Sequence, residues 1–284
     1  MTIAEQGVAG LVHAKLADCS PAERRVARVL LAAYPSAALE TIAALAERAA
    51  VSGPTVLRFV NRLGFRGYPE FQKAVRDELD ERNTSPLIAY AAGAPAVDGP
   101  LDRAQQLLPK AVEATLAELP VAEVDACIRL LADAQLRITA YGGRFSSLLA
   151  QYLVLHLVQI RGGSRMLPAG PVERAATLAD LGRKDLLVLF DFRRYEPPTL
   201  ALAQAAKAAD VKIVLFTDRW LSPIASVADV VLPARVDSAS PYDSFVPSLA
   251  VIEAVIDGVI AQLGPAVGRR LAAIEQAAQR HDLL

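Results

Sequence analysis

From Val8 to Leu79 apolar residues recur at helical spacing, and the run is punctuated at Ser20-Pro21, Pro35-Ser36, Ser52-Gly53-Pro54 and Gly64 to Gly67. That pattern predicts a small all-helical domain. Ser20-Pro21-Ala22-Glu23 reads as a capping box with proline at the first helical position, and the helix it starts carries Val26, Val29, Leu30 and Ala33 as an apolar stripe. Thr41 is placed to cap the next helix, with Ile42, Leu45 and Ala46 turned inward and Glu47 and Arg48 toward water. A break at Ala49 to Gly53 follows. Ser52 is then placed to cap a helix with Pro54 in its first turn, ending at Gly64, whose Val56, Phe59, Val60 and Leu63 face the core.

The pattern changes downstream. Residues 83–101 are rich in Pro, Gly and Ala and hold one charge between Asn83 and Leu101, Asp98, as a linker does. Two helical stretches, 102–119 and 121–134, precede β-rich runs at 136–142, 185–192, 211–218 and 230–236, with a weaker one at 164–169. These runs are apolar on both faces and alternate with helical patterns, which predicts an α/β domain with a parallel sheet covered on both sides. A chain of 284 residues is long enough for two cores. The expected division is a helical domain at 1–82, a linker at 83–101 and an α/β domain at 102–284.

Two short helices joined by a tight turn form a helix-turn-helix unit, whose second helix enters the DNA major groove by its N-terminal part. Ser52, Gly53 and Thr55 would then approach phosphates or base edges, with Arg58 and Arg62 one turn apart. Between Val51 and Arg76 stand Arg58, Arg62, Arg66, Lys73 and Arg76 against Glu70 alone, the local excess that phosphate binding requires. The whole chain, with 30 Lys+Arg and 31 Asp+Glu, carries a net charge of -1, which excludes a uniformly basic binder of nucleic acid. Operator DNA is the partner this local patch predicts, and one unit per chain reads one half-site, so a homodimer or homotetramer is expected.

Other chemistry finds little support. Cys19 and Cys127 are isolated, and His13, His156 and His281 give no metal-ligand spacing, so neither metal nor cofactor is expected. The start MTIAEQGVAG lacks a basic stretch leading into an apolar one, and the apolar run Leu148 to Ile160 is interrupted by Gln151, His156 and Gln159. No membrane association and a cytoplasmic location follow as expectations. The helix expected at 247–263 (Leu249, Ile252, Val255, Ile256, Val259, Ile260) has more apolar surface than one domain face needs, which predicts partial burial between subunits.

The segment AALAERAAVSGPTVLRFVNRLGFRGYPEFQKAV, with S-x-x-T-x-x-R-F and then L-G-F-x-G-Y-x-E-F, resembles the N-terminal domain of the RpiR family of bacterial regulators over residues 8 to about 80. That resemblance implies a C-terminal sugar isomerase (SIS) domain, a five-stranded parallel sheet flanked by helices that binds phosphorylated sugars. Two stretches are similar to it: Gly142-Gly143-Arg144-Phe145 leading into Ser146-Ser147, and Thr217-Asp218 followed by Leu221-Ser222-Pro223-Ile224-Ala225 and Ala228-Asp229. Ligands of open parallel sheets sit at the carboxyl ends of strands, facing helix N-termini, so the resemblance implies effector contacts at Gly142, Gly143, Arg144, Ser146, Ser147, Thr217 and Ser222. The chain departs from the family where an S-x-S-G-x-T phosphate loop is usual. Here the residues run Phe190-Asp191-Phe192-Arg193-Arg194-Tyr195-Glu196-Pro197-Pro198-Thr199.

Asp191, Arg193, Arg194 and Tyr195 therefore become candidates for holding a small anionic metabolite, a phosphosugar or a carboxylate, through fork-shaped guanidinium donors. The same cluster reads equally as an ion-paired structural knot or a subunit contact. Asp243 and Ser244 are placed to cap the helix after them while closing the pocket. Two rival functions stay open at this point. One is a sugar-phosphate isomerase using a base among Asp191, Glu196, Glu253 and His156, and the other a regulator whose second domain only assembles subunits.

Overall fold

A computed structural model describes residues 7–91 and 99–282. The chain divides into two compact units, one of Met1–Gly93 with Arg219–Ser226 and one of Ala94–Asp218 with Val227–Leu284. Of the expected linker, residues 92–98 lie outside the described residues.

The first unit is helical: α1 (Val8–Lys15), α2 (Pro21–Ala32), α3 (Ser36–Leu39), α4 (Ile42–Arg48), α5 (Gly53–Arg62), α6 (Tyr68–Asn83) and α7 (Pro86–Ala91). Its core is the inward stripe of each helix, with Val26, Leu30, Leu45, Val56, Phe59, Val60, Phe71 and Val75 all at or below 1% exposure. The Ser20 box forms in full. The Glu23 N–H donates to Ser20 Oγ at 3.3 Å and the Ser20 N–H to Glu23 Oε2 at 2.9 Å. Thr41 caps α4 by accepting from the Ala44 N–H at 3.2 Å. At α5 the expected cap is absent: Ser52 is the N-cap residue, but its hydroxyl lies 3.0 Å from Thr55 Oγ1 and not on a backbone N–H.

Glu23 also receives Arg62 Nε from α5 at 3.2 Å, so one buried carboxylate caps α2 and ties α2 to α5. Burial works against its charge, but hydrogen bonds from Ser20 and Arg62 outweigh that and hold its pKa below the ordinary 4.5. A depressed carboxyl stabilises the fold above its unfolded pKa, and the benefit is lost as pH falls through the lower folded value. Glu23→Gln is therefore expected to flatten the acid limb of the stability curve below about pH 4.5, checked by urea melts across that range. An unchanged acid limb in the variant would refute this assignment.

The second unit begins with α8 (Pro100–Glu118) and α9 (Val121–Ala132) and then alternates strands and helices. These are β1 (Arg137–Gly142), α10 (Ser147–Ile160), β2 (Ser164–Met166), α11 (Pro171–Ala179), β3 (Asp185–Phe190), α12 (Pro197–Ala208), β4 (Lys212–Asp218) and β5 (Val230–Ala234), followed by α13 (Val246–Leu263) and α14 (Pro265–Arg280). The five strands form one sheet in the order β2-β1-β3-β4-β5, and every pair is parallel. β3 is buried at every position, as a central strand covered on both faces must be. From β1 the chain moves outward to β2 and then returns to β3 on the other side. Right-handed crossovers put α10 on one face and α11 and α12 on the opposite one. The two connections part at the carboxyl ends of β1 and β3, the switch point where such sheets bind ligands.

Buried Arg161 was not anticipated as an element of the fold. Its Nε donates to the Gly162 carbonyl at 3.0 Å, and its two terminal nitrogens donate to the carbonyls of Leu131 and Leu136. It thereby joins the ends of α9 and α10 to the start of β1. α13 is long and apolar enough to cross a membrane by length and composition alone, with a mean hydropathy of 1.7. Its Val251, Ile252, Val255, Ile256 and Val259 are buried within this unit, while Glu253 and Asp257 face outward. The apolar surplus read from the sequence is therefore largely used by the domain's own core. Leu249 is half-buried and Ile260 39% exposed.

Candidate functional site

On the helical unit, the turn from Ala49 to Ser52 between α4 and α5 is tight enough to need Ala50 in the left-handed region, at φ 50°. The inward stripe of α5 fixes which face remains outside. Ser52 and Arg58 are exposed, Gly53 is half-buried and Thr55 is buried. Thr55 Oγ1 receives Arg58 Nη2 at 3.1 Å and meets the Ser52 hydroxyl, so these three side chains form one polar ridge along the start of α5. Arg66 is exposed, and its backbone N–H donates to Glu70 at 2.6 Å. The basic excess thins once pairing is considered: Arg62 is engaged with Glu23, and Lys73 lies 2.5 Å from Asp77. Arg58, Arg66 and Arg76 remain exposed without an ion-pair partner at this face among the described residues.

The second unit holds a cleft of about 260 Å³ at the sheet's switch point, between the turn after β1 and the loop after β3. Of the residues expected around a ligand, Gly143, Arg144, Ser146, Asp191, Arg193, Arg194 and Asp243 line it. Gly142, Ser147, Tyr195, Thr217, Ser222 and Ser244 do not. Gly142 is buried against the first turn of α10, where a Cβ would stand 2.6 Å from the Ser146 carbonyl. Ser222 accepts from the Ile224 N–H at 3.2 Å and caps a short 3₁₀ turn at Pro223–Ser226. Ser244 Oγ accepts from the Val246 N–H at 3.3 Å. The other half of that expected cap, Asp243, is drawn instead into the cleft by Arg193.

Hydrogen bonds explain the shape of this site. Ser146, buried beneath the turn, accepts from the Gly143 N–H at 2.9 Å and donates to the Phe190 carbonyl at 2.8 Å, fastening β1's turn to the end of β3. The loop after β3 is latched from β4: the Asp218 carboxylate, fully buried, accepts from the Arg193 N–H and from the Tyr195 hydroxyl at 2.6 Å. Arg193 forms a two-pronged pair with Asp243, with Nη2 on Oδ1 and Nε 3.3 Å from Oδ2. Arg144 and Arg194 are exposed at the cleft.

Sequence reasoning missed the cleft's apolar wall, Phe145, Leu148, Phe192, Tyr242 and Phe245, and it named Glu196 only as a possible base of an isomerase, not as a residue of a binding site. The alternation that marks a strand says nothing about rings in irregular loops, so only the hydrophobic cluster Phe190-x-Phe192 and the pair Tyr242 and Phe245 offered a signal. Asp229, in the matching A-D run, serves the sheet and not the cleft. It accepts from the Ile213 N–H at 2.9 Å and pairs with Lys207 at 2.9 Å; burial opposes its charge, but these partners hold its pKa below the usual value.

Because Asp218 holds the loop through two donors, Asp218→Asn is expected to release it: an amide keeps one acceptor and turns its N–H₂ toward a donor. A buried bond lost in this way costs about 1–3 kcal/mol. Backbone hydrogen exchange at 191–196 should rise, and unchanged protection there would show that the latch is not what holds the loop.

The helical unit with its tight two-helix turn and the parallel sheet with its switch-point cleft define a helix-turn-helix transcription regulator with a SIS domain. Residues 6–82 match the helix-turn-helix domain of the rpiR family and residues 130–257 the SIS domain. The chain belongs to the RpiR family. It is 27% identical over 267 residues to the HTH-type transcriptional regulator HexR of Pseudomonas aeruginosa, covering 89% of each chain. Among solved structures, the Vibrio vulnificus NanR protein complexed with ManNAc-6P matches with a TM-score of 0.55 at 17% identity, over 96% of this chain and 98% of that one. The sugar isomerase domain of an RpiR transcription factor from Sphaerobacter thermophilus matches with a TM-score of 0.58 at 23% identity, over 62% and 98%. At these identities the two structures speak for the fold alone.

Proposed function

We propose that this protein is a cytoplasmic, ligand-controlled transcription regulator. The exposed face of α5 and the turn after it contact operator DNA through Ser52, Gly53, Arg58 and Arg66; of the other two residues expected there, Thr55 is buried and holds Arg58 in place, and Arg62 is engaged with Glu23. A small anionic metabolite, a phosphosugar or a carboxylate, occupies the switch-point cleft and biases DNA binding. The observation that carries the sensing role is the cleft itself, with Arg144 and Arg194 exposed at its wall. Family membership supports the DNA-binding role. A single half-site per chain favours a homodimer or homotetramer on a pseudo-palindromic operator.

The domain acts by binding and not by turnover. Of the four residues an isomerase could use as base, His156 and Glu253 lie outside the cleft, with Tyr152 donating to Glu253 at 3.1 Å and His156 Nδ1 set 2.9 Å from the Tyr152 carbonyl. Asp191 and Glu196 do line it, and this is the observation that keeps an isomerase in view. Turnover of an aldose or ketose phosphate that vanished in Asp191→Asn or Glu196→Gln would replace the sensing reading.

The direct test titrates the protein onto its own promoter region at about 50 and 200 mM salt, with and without phosphosugars and small carboxylates. Selective binding that weakens with salt and shifts with one ligand class is the expected result. Equal affinity for unrelated DNA at both salts would defeat it.

A further inference from the structure

We propose that the switch-point cleft takes a small zwitterion, one ammonium and one carboxylate on an apolar body, and excludes phosphorylated sugars. This rests on the ligand-sensing reading above and narrows the ligand to one chemical class.

A bound phosphate needs free hydrogen-bond donors. A phosphate at a Gly-rich turn is held by backbone N–H groups and a helix N-terminus. Here several of those groups are already spent inside the protein: the Gly143 N–H on Ser146 Oγ, the Asp191 N–H on the Phe216 carbonyl at 3.1 Å, and the Arg193 N–H on Asp218. The space over the turn is filled as well. Glu196, the N-cap residue of α12, lies across Gly143, with Oε1, Cδ and Oε2 at 3.1, 3.3 and 3.5 Å from the position of a Cβ there. The protein's own carboxylate thus occupies space over the turn and brings a negative charge to it.

Charge points the same way. The lining carries Arg144, Arg193 and Arg194 against Asp191, Glu196 and Asp243, a formal sum of zero. A dianion entering this wall would meet three carboxylates without a net positive field, and its desolvation would go uncompensated. A zwitterion adds no net charge. Arg144 Nε and Glu196 Oε1 stand 4.0 Å apart with side chains 83% and 36% exposed, a loose pair of the kind worth little in water. A ligand carboxylate on Arg144 and a ligand ammonium on Glu196 would replace each partner by a better-placed one.

Two further features fit this division of labour. Arg194 is held at φ 73°, a conformation costly for a side chain of this size. The Asp218 latches on Arg193 and Tyr195 flank it and fix its place in the lining, giving a second guanidinium fork for a carboxylate. Most of the remaining wall is apolar, with Leu148 and four rings: Phe145 and Tyr242 stand 6.4 Å apart and are 63% and 61% exposed, and Phe192 packs on Phe245 at 5.1 Å. Such rings suit an apolar ligand body better than a polyol phosphate.

Calorimetric titration of the full-length protein with the proteinogenic amino acids, 3-phenylpropionate, phenethylamine, glucose 6-phosphate, ribose 5-phosphate and inorganic phosphate tests the proposal. At least one amino acid with an apolar side chain should bind, about tenfold or more tighter than the analogue lacking its ammonium or its carboxylate, and no phosphate compound should compete with it. Glu196→Gln should weaken the zwitterion about tenfold while leaving or improving 3-phenylpropionate binding, a reversal that simple misfolding would not produce. Arg144→Ala should weaken both. Phosphosugar binding without zwitterion binding would overturn the ligand class and leave the sensing role standing. If no compound bound, the zwitterion class would be overturned, and the sensing role would be decided by the promoter titration.

Discussion

Changing Gly142 to alanine is expected to be the most damaging single-atom addition in the α/β unit. The new Cβ would lie 2.6 Å from the carbonyl carbon and oxygen of Ser146 and 2.7 Å from the Ser147 nitrogen, all backbone atoms at the start of α10. No side chain can rotate away to relieve that contact. Either α10 shifts along the sheet, parting the apolar contacts of Leu149, Ala150 and Leu153, or the end of β1 leaves its register opposite Phe190. Overpacking of this sort costs about 1–3 kcal/mol and sometimes more, which for a unit of this size lowers Tm by about 2–12 °C. The same shift moves Ser146, the residue that fastens the turn to β3, so effector response should fall with stability. A melting curve matching the native one would show that the turn has slack the geometry does not indicate.

Arg58→Ala and Arg62→Ala should separate two arginines that look alike in the sequence. Arg58 stands on the exposed ridge of α5, and its one hydrogen bond, to Thr55, joins residues a turn apart. Its removal is expected to leave stability within about 0.5 kcal/mol and to weaken operator binding by about 1–3 kcal/mol, roughly fivefold to 150-fold. If the contact is to a phosphate, the salt slope falls by about one. Arg62 is tied to the buried Glu23. Its loss should destabilise the helical unit by about 1 kcal/mol, a modest figure because the guanidinium is 44% exposed. Urea melts and DNA titrations on both variants decide the matter; a stability loss in Arg58→Ala with unchanged DNA affinity would reverse the assignment.

The two arginines also show where sequence reasoning reaches its limit. Periodicity placed both on one side of α5 and correctly turned Val56, Phe59, Val60 and Leu63 inward. It had no means of knowing that Glu23, 39 residues earlier, would reach Arg62. The capping box at Ser20 was readable because its partners are three residues apart, and local hydrogen bonds leave local signatures. The cap at Ser52 was misjudged for a related reason. Its residue type was right, but the competing hydroxyl of Thr55 took the bond.

In the second unit, five apolar runs sufficed for a parallel sheet with helices on both faces, because a strand buried on both sides has to be apolar throughout. The cleft was only partly legible. Gly143, Arg144 and the Asp191 to Arg194 loop could be placed at strand ends, since a doubly wound sheet brings those ends together whatever their residues. Whether each side chain turns into the cleft depended on contacts made elsewhere: Tyr195 turns to Asp218, Asp243 to Arg193, and Glu196 across Gly143.

The sequence by itself thus determined the main elements, the caps at Ser20 and Thr41, the helix-turn-helix unit and the loss of a hydroxyl-rich phosphate loop, all consequences of spacing within a few residues. Only the tertiary structure decided that the basic loop is matched by carboxylates and that the cleft it lines is charge-neutral and rich in aromatic rings. Those properties arise from pairs far apart in the chain, where burial and geometry select one partner among many and no local pattern records the choice.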